Sequence, residues 1–412
     1  MRIVALAACL AVALVLPQFG RADHLVVGRG TAIRAEPRRN AARVSTAEAG
    51  TTLRLLATEL ENGYYQVVDP SSGGRAWIYK TFVRRYPDES TALAPLGLSS
   101  STSVDCSAKK PLRVHFYDVG QALSALVDLP DGRHILVDAG ESPTRAGCGT
   151  VCRLKHEHLL ERLQSDLNGG TISMVWITHQ HSDHVGGAAG VLEKFRIEVY
   201  ADNGQDLAKR QVSNARALAA ARGAEIVTID PEHSRTPIEG SGTALKIRSV
   251  LPASWPVDCG EDPNSCSIGL RIDYCSSSVL FTGDAEYVEE SGLEPYGHIT
   301  LLQVGHHGSD TSSSTDFLAV VSPKYAVISA GRKGEGLNST YCHPREVTVN
   351  ALTTILGSRD ATAVTAFDGA VNCRTAPDSH WHTVRGSDRL WVTARDGDVT
   401  LVTTGDGVFA RE

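Results

Sequence analysis

Beyond residue 16 the sequence has no apolar run approaching the ~20 residues that span a bilayer, so nothing in the body of the chain reads as a membrane segment. It has no paired CxxC knuckles, which argues against zinc held by thiolates. It has no internal repeat and no HExxH spacing. It also lacks a basic excess: 40 Lys and Arg stand against 47 Asp and Glu, a formal charge of −7. That balance disfavours tight non-specific binding to nucleic acid. It does not exclude a nucleic-acid substrate, because bound divalent cations supply local positive charge. The remaining composition, 42% hydrophobic and 21% charged in 412 residues, suits a soluble globular protein with room for two domains.

What is present begins with an export signal. Arg2 precedes an apolar run over residues 3–16, and Gly20 and Ala22 are spaced for signal peptidase. Residues 1–22 are therefore expected to be a signal peptide, with a secreted or periplasmic mature chain. Cys9 lies too close to Arg2 for a lipoprotein signal. Without Cys9 eight cysteines remain, an even number that suits disulfides in an oxidising compartment. Cys148 with Cys152, and Cys259 with Cys266, are close enough to close small loops. Cys342 with Cys373 would pin the C-terminal segment. The full connectivity stays open.

Residues 23–86 alternate short apolar runs with turn-rich pieces such as Glu61-Asn62-Gly63, the pattern of a small all-β barrel. Thr31-Ala32-Ile33-Arg34, Gly50-Thr51-Thr52-Leu53, Asn62-Gly63-Tyr64-Tyr65 and Ala76-Trp77-Ile78 resemble the bacterial SH3-like (SH3b) domain. That resemblance implies a targeting module with a cell-wall or peptide ligand. Residues 87–110, rich in Ser, Thr, Ala and Pro, read as a linker. Residues 111–412 form the second domain. Strands are expected at 113–118, at 122–128 paired with 134–138, at 173–178, and at several later runs. A last hairpin is expected to join 390–394 to 399–403. Helices are expected at 157–167, 186–195, 209–222 and 344–356. Interspersed helices with strands in the majority suit two packed sheets with helices outside them.

His179, His181, Asp183 and His184 lie within six residues after the apolar stretch 173–178. Alternate residues of an extended segment point to one side, and the chain then turns to offer Asp183 and His184 to a second ion. Imidazole and carboxylate together suit Zn²⁺, and also Mn²⁺ or Fe. Two ions a few ångströms apart are the device of hydrolytic dimetal sites.

His179-Gln180-His181-Ser182-Asp183-His184 has the HxHxDH form of the metallo-β-lactamase superfamily. Asp118-Val119-Gly120-Gln121, Leu136-Val137-Asp138-Ala139-Gly140, Phe281-Thr282-Gly283-Asp284 and Gly305-His306-His307-Gly308-Ser309 resemble one branch of it. That branch is the metallo-β-lactamase-like domain of ComEC-type DNA-internalisation competence proteins. Asn338 and Tyr341-Cys342-His343-Pro344 are similar to its closing motif. The resemblance implies an α+β fold, an αββα sandwich following the SH3-like barrel. It implies His179 and His181 on metal one, Asp183 and His184 on metal two, Asp284 bridging, and His307 completing metal two with His306 beside it. Asp138 would orient the histidine loop, and Asp118 and Gln121 would be structural. His343 would contact substrate, and Asn338 with it. Asp183, His306 and His343 are the expected catalytic residues. A further metal-one histidine is missing: between Val185 and Gly283 the only histidine is His233. Asp202 or water would stand in for it. His156-Glu157-His158, on the polar side of a helix, and His380-Trp381-His382, in a loop, are set aside, as are His115 and His134.

The expected activity is metal-assisted hydrolysis at a dinuclear site by a hydroxide formed near neutral pH. The branch favours a phosphodiester, in nucleic acid or a cell-envelope polymer. The alternatives are a lactonase or β-lactamase, and a non-catalytic wall-binding protein.

Overall fold

The computed structural model describes residues 24–27, 30–48, 51–86, 104–205, 209–231, 244–293, 295, 297–369, 373–375 and 378–412. The signal-peptide reading, most of the expected linker and His233 lie outside them. The chain divides into two compact units, 1–92 and 93–412.

The smaller unit is an all-antiparallel, seven-stranded sheet. Its interior is small, with Leu25, Ile33, Leu53, Val67 and Ile78 at its centre.

In the larger unit two sheets stack. One has eight strands and the other six. Strict alternation along the strands decides which side chains go between them. In the eight-stranded sheet, Ile135 and Val137 from His134–Val137, Met174 and Trp176 from Ile172–Trp176, and Val199 from Ile197–Asp202 face the other sheet. Leu270, Ile272, Val279 and Phe281 meet them from Gly269–Tyr274 and Ser277–Phe281. The intervening residues face outward and are also covered. Leu136, Val175 and Tyr200 pack against Leu159 and Leu163 of the helix Val151–Leu167 and against Val212 of Arg210–Ala221. Leu280, Leu302 and Ile328 pack against Phe317, Val349 and Leu352 on the far side. Both sheets are therefore buried on both faces, as the near-continuous apolar runs of 173–178 and 279–282 require. The arrangement is the αββα sandwich, an α+β fold.

The two strands expected as a final hairpin do not pair. Leu390–Val392 joins Tyr325–Ile328 in parallel, and Val399–Thr403 joins Leu112–Phe116 antiparallel in the other sheet. The turn Thr393–Asp396 carries the chain from one sheet to the other. The segment holding His382 is a strand, Trp381–Ser387, paired with Ala361–Phe367, rather than a loop. Residues 104–110, expected as linker, belong with the larger unit: Cys106 is bonded to Cys275, and the Tyr274 hydroxyl donates to the Lys110 carbonyl at 2.7 Å. Cys148–Cys152, Cys259–Cys266 and Cys342–Cys373 pair as their spacing suggests.

Leu163 is fully buried between helix and sheet. Leu163→Ala is expected to lower the unfolding free energy by about 2–5 kcal/mol, the cost of lost transfer energy plus a cavity. Urea denaturation of the two proteins measures it, and an unchanged midpoint would mean the helix is not docked as described.

Candidate active site

The site sits where parallel strands of both sheets end. His134–Val137 and Ile172–Trp176 run parallel, as do Ser277–Phe281, Leu301–Gln303 and Tyr325–Ile328. Asp138, His179 to His184, Asp284, His306 with His307, and Ser329 follow these strands at their C-terminal ends. Sheet geometry thus brings together residues up to 191 positions apart in the chain.

Two contacts hold the ends of the sheets together. The Trp176 indole donates to the Ile268 carbonyl at 2.9 Å, and the Ile268 amide donates to the Thr178 carbonyl at 2.8 Å. Gly283 passes so close to Thr178 that a Cβ on it would lie 2.6 Å from the threonine Cβ, and its φ is +57°. Only glycine fits that crossing.

Asp138 is fully buried. Its carboxylate accepts from the Thr178 amide and hydroxyl, each at 2.8 Å, and from His184 Nδ1 at 2.7 Å. His307 Nδ1 donates to the Ser329 carbonyl at 2.8 Å. Each of these bonds fixes a tautomer that leaves Nε2 as the free donor toward a cation. His179 Nδ1, 3.2 Å from the Thr178 hydroxyl, is held similarly.

Ligand atoms of Asp183, His184, Asp284 and His307 then converge within 4.8 Å of one another. His184 Nε2 lies 3.1 Å from Asp284 Oδ2, and His307 Nε2 lies 3.4 Å from both Asp183 Oδ2 and Asp284 Oδ2. His184 Nε2, His307 Nε2 and Asp284 Oδ1 are buried without a hydrogen-bond partner. Buried polar atoms are rarely left so, and three aimed at one point fit a divalent cation. His179 Nε2 and His181 Nδ1, 3.1 Å apart, adjoin this cluster, with the His179 ring 4.1 Å from that of His184.

His307 rather than His306 belongs to the convergent four. His306 is more exposed, with Nδ1 3.1 Å from the Thr311 hydroxyl and Nε2 3.8 Å from Asp284. His343 is buried beside it, ring centroids 5.5 Å apart, and accepts at Nδ1 from the Gln121 amide at 3.0 Å. Asn338 is fully buried. It donates to the Gly331 and His343 carbonyls and accepts from the His343 amide, which positions His343. Asp118 is occupied by Lys155 and Arg332. Asp202 is clamped by Arg216 at 2.7 Å and 3.0 Å and is not among the convergent four. His156 is buried against Gly187 and Gly190 rather than lying on the polar side of its helix. His115 and His134 share Asp128, and His380 pairs with Asp368.

Sequence reasoning missed the rim of the site. Glu141 accepts from the Ser142 amide at 2.7 Å and from the Ser182 hydroxyl. Burial, then the nearby Asp183 charge, push its carboxyl upward. Lys209 donates to the Gln180 carbonyl at 3.3 Å. Arg145 lies 3.8 Å from Glu141, and the Tyr341 ring lies 6.3 Å from that of His343. Glu141 and Arg145 stand four apart in one segment, but no spacing rule links them to Lys209 or Tyr341, which come from two others.

Burial and opposed charges at the site pull its groups in different directions. Burial works against a charged His307, yet Asp284 and Asp183 hold its pKa at about 10. Burial likewise opposes a charged His184, and Asp284 and Asp138 hold it well above the usual imidazole range. Burial would raise Asp284, but His184 and His307 keep it well below the usual carboxylate range. Burial, then neighbouring imidazoles, push His179 and His343 well below theirs.

The fold and site define a metal-dependent hydrolase class of αββα sandwich. A family model described as the metallo-β-lactamase superfamily matches residues 117–332, just over half of the chain, and the protein belongs to that superfamily. It is 30% identical over 227 residues to Recombination protein 2 of Haemophilus influenzae, covering 55% of this chain and 25% of that one. It is 29% identical over 245 residues to Competence protein ComA of Neisseria gonorrhoeae, covering 58% and 29%. The chain thus spans under a third of the length of these curated relatives. Among solved structures it is similar to the short form of human tRNase Z, at 17% identity and a TM-score of 0.34, covering 54% of this chain and 94% of that one.

Two outcomes follow. Asp138→Asn should weaken metal binding about 10- to 100-fold, as loss of a ligand-orienting carboxylate does. Competition with a chromogenic chelator measures this, and unchanged affinity would remove Asp138 from the account. In metal-free protein the raised His307 contributes stability that is complete below its unfolded pKa of about 6.5. That contribution is lost as pH rises toward about 10. The Tm of chelator-treated protein should therefore fall over this window, and less steeply in His307→Gln. Parallel profiles would contradict the pairing.

Proposed function

We propose that the chain is an exported metal-dependent phosphodiesterase, with nucleic acid as the first substrate class and a cell-envelope phosphodiester as the second. The reading rests on one observation above all: four ligand-type side chains converge with three of their buried atoms unpartnered. In this reading His179, His181 and Asp284 hold one cation. Asp183, His184, His307 and the shared Asp284 hold the other. Zinc fits these imidazole and carboxylate donors first, with Mn or Fe as alternatives.

Bound there, the cations would lower the pKa of water toward neutrality and neutralise charge developing at phosphorus. The chain's own residues do the rest. The Thr311 hydroxyl and Glu286, 3.1 Å and 3.3 Å from His306 Nδ1, orient that ring so that Nε2 can hand a proton to the leaving oxygen. His343, its Nδ1 satisfied by Gln121, would contact the substrate through Nε2. Asp183, besides holding a cation, would keep the attacking water aligned.

The resemblance to the DNA-internalisation branch and the relatives named for recombination and competence support a phosphodiester. So do the cations Lys209, bonded to the Gln180 carbonyl, and Arg145, beside Glu141. The lack of the usual third metal-one histidine, with His233 the only histidine between Val185 and Gly283, and the His306-His307-Gly308 turn disfavour a lactonase or β-lactamase. The small β-unit, read as SH3-like, would be the targeting module.

A panel of bis-p-nitrophenyl phosphate, DNA and nitrocefin, each with added Mn²⁺ or Zn²⁺, tests the reading. Turnover of the first two is expected, falling to background in Asp284→Ala. Turnover of nitrocefin alone would overturn it.

A further inference from the structure

The wall of the site continues outward as an aromatic path. The His307 and His343 rings lie 6.3 Å apart, and His343 and Tyr341 are again 6.3 Å apart. Exposure rises along that path, from 2% at His307 and 4% at His343 to 37% at Tyr341. Tyr341 is thus the outermost ring of a chain that starts at a candidate ligand. Its ring stands beside that of His343, which itself lies against His306 and His307, so it borders the mouth of the site. Lys209 donates at 3.3 Å to the carbonyl of Gln180, between His179 and His181, and Arg145 lies 3.8 Å from Glu141, which accepts from the Ser182 hydroxyl. One exposed aromatic ring and two cations therefore stand around an otherwise acidic opening.

An exposed tyrosine in such a place needs a reason. Its packing is incomplete, and the hold on it from Arg345 is at the backbone, where the guanidinium donates to the Tyr341 carbonyl at 3.1 Å. An aliphatic phosphodiester, such as a polyol-phosphate polymer, has no flat face to use the ring. A nucleotide has one, and a flanking phosphate for the cations. Stacking a base on an aromatic ring beside a basic groove is the usual way in which single strands are held without sequence preference.

We propose that Tyr341, Arg145 and Lys209 form a specificity-determining rim. Tyr341 stacks the base of the nucleotide next to the scissile bond, and Arg145 and Lys209 pair with its flanking phosphate. This deepens the phosphodiesterase reading and rests on it. It chooses the nucleotide over the envelope polymer.

The test uses the full chain loaded with metal and two chromogenic esters, methyl p-nitrophenyl phosphate and thymidine 5′-(p-nitrophenyl phosphate). Wild type is expected to favour the thymidine ester about tenfold in kcat/KM. Tyr341→Ala should cost the thymidine ester about tenfold more than the methyl ester, chiefly through KM. Tyr341→Trp should restore the preference. A thymidine ester carrying a 3′-phosphate should gain further at low salt, and Arg145→Ala or Lys209→Ala should erase that gain. Independently of turnover, calorimetry should show thymidine 5′-monophosphate binding about tenfold tighter than methyl phosphate, except in Tyr341→Ala. Equal losses on both esters, or a wild type indifferent to the base, would overturn the rim while leaving the phosphodiesterase intact. Cleavage of neither ester, with metal content normal, would overturn the phosphodiesterase reading itself.

Discussion

The Asp138 carboxylate is sealed from solvent and held by three donors: the Thr178 amide, the Thr178 hydroxyl and His184 Nδ1. A buried charge of this kind is costly unless every lone pair is met. Here the donors come from the segment that carries the histidine motif, so satisfying Asp138 and aiming the motif are one event. Thr178 then touches Gly283, which leads into Asp284. The bond network runs from the end of one sheet to the end of the other, and the candidate ligands are placed by it.

The rest of the architecture serves that placement. Both sheets are buried on both faces, so neither strand end can shift without disturbing a close-packed layer. The His306-His307 turn is held in left-handed backbone at both residues, with φ of 47° and 54°. Such geometry costs on the order of 1–3 kcal/mol per residue and persists only where the surroundings impose it. The His307 bond to the Ser329 carbonyl and the Ser313 hydroxyl bond from the Gly305 amide impose it here. Three disulfides lie next to rim segments. Cys148–Cys152 follows Arg145, Cys259–Cys266 precedes Ser267, whose hydroxyl accepts from the Asp284 amide, and Cys342–Cys373 adjoins His343. They restrain the loops that the sheets do not reach.

Much of this was legible in the sequence because it is local or periodic. Short apolar runs in 134–138 and 173–178 marked strands, and the histidine spacing marked the site. Short cysteine separations marked two disulfides, and Cys342 with Cys373, 31 residues apart, fits the pinning of the C-terminal segment. What was not legible depends on long-range topology. Cys106 and Cys275 are 169 residues apart, and nothing local pairs them. The strands Leu390–Val392 and Val399–Thr403 have the spacing of a hairpin, but each finds a better edge in a different sheet. His156 falls at a polar-looking helix position yet is covered by a glycine-rich helix that only the tertiary fold brings over it. Glu141, Arg145, Lys209 and Tyr341 share no motif. Only the closing of the sandwich brings them to one rim.

The central claim is that this donor set holds metal. Metal content of the purified protein, by elemental mass spectrometry after dialysis, tests it most directly beside Asp284→Ala. At least one tightly held equivalent of a transition metal is predicted in the native chain, and a marked loss in the variant. Less than one equivalent in the folded native protein, even after incubation with Zn²⁺ and Mn²⁺, would contradict the account.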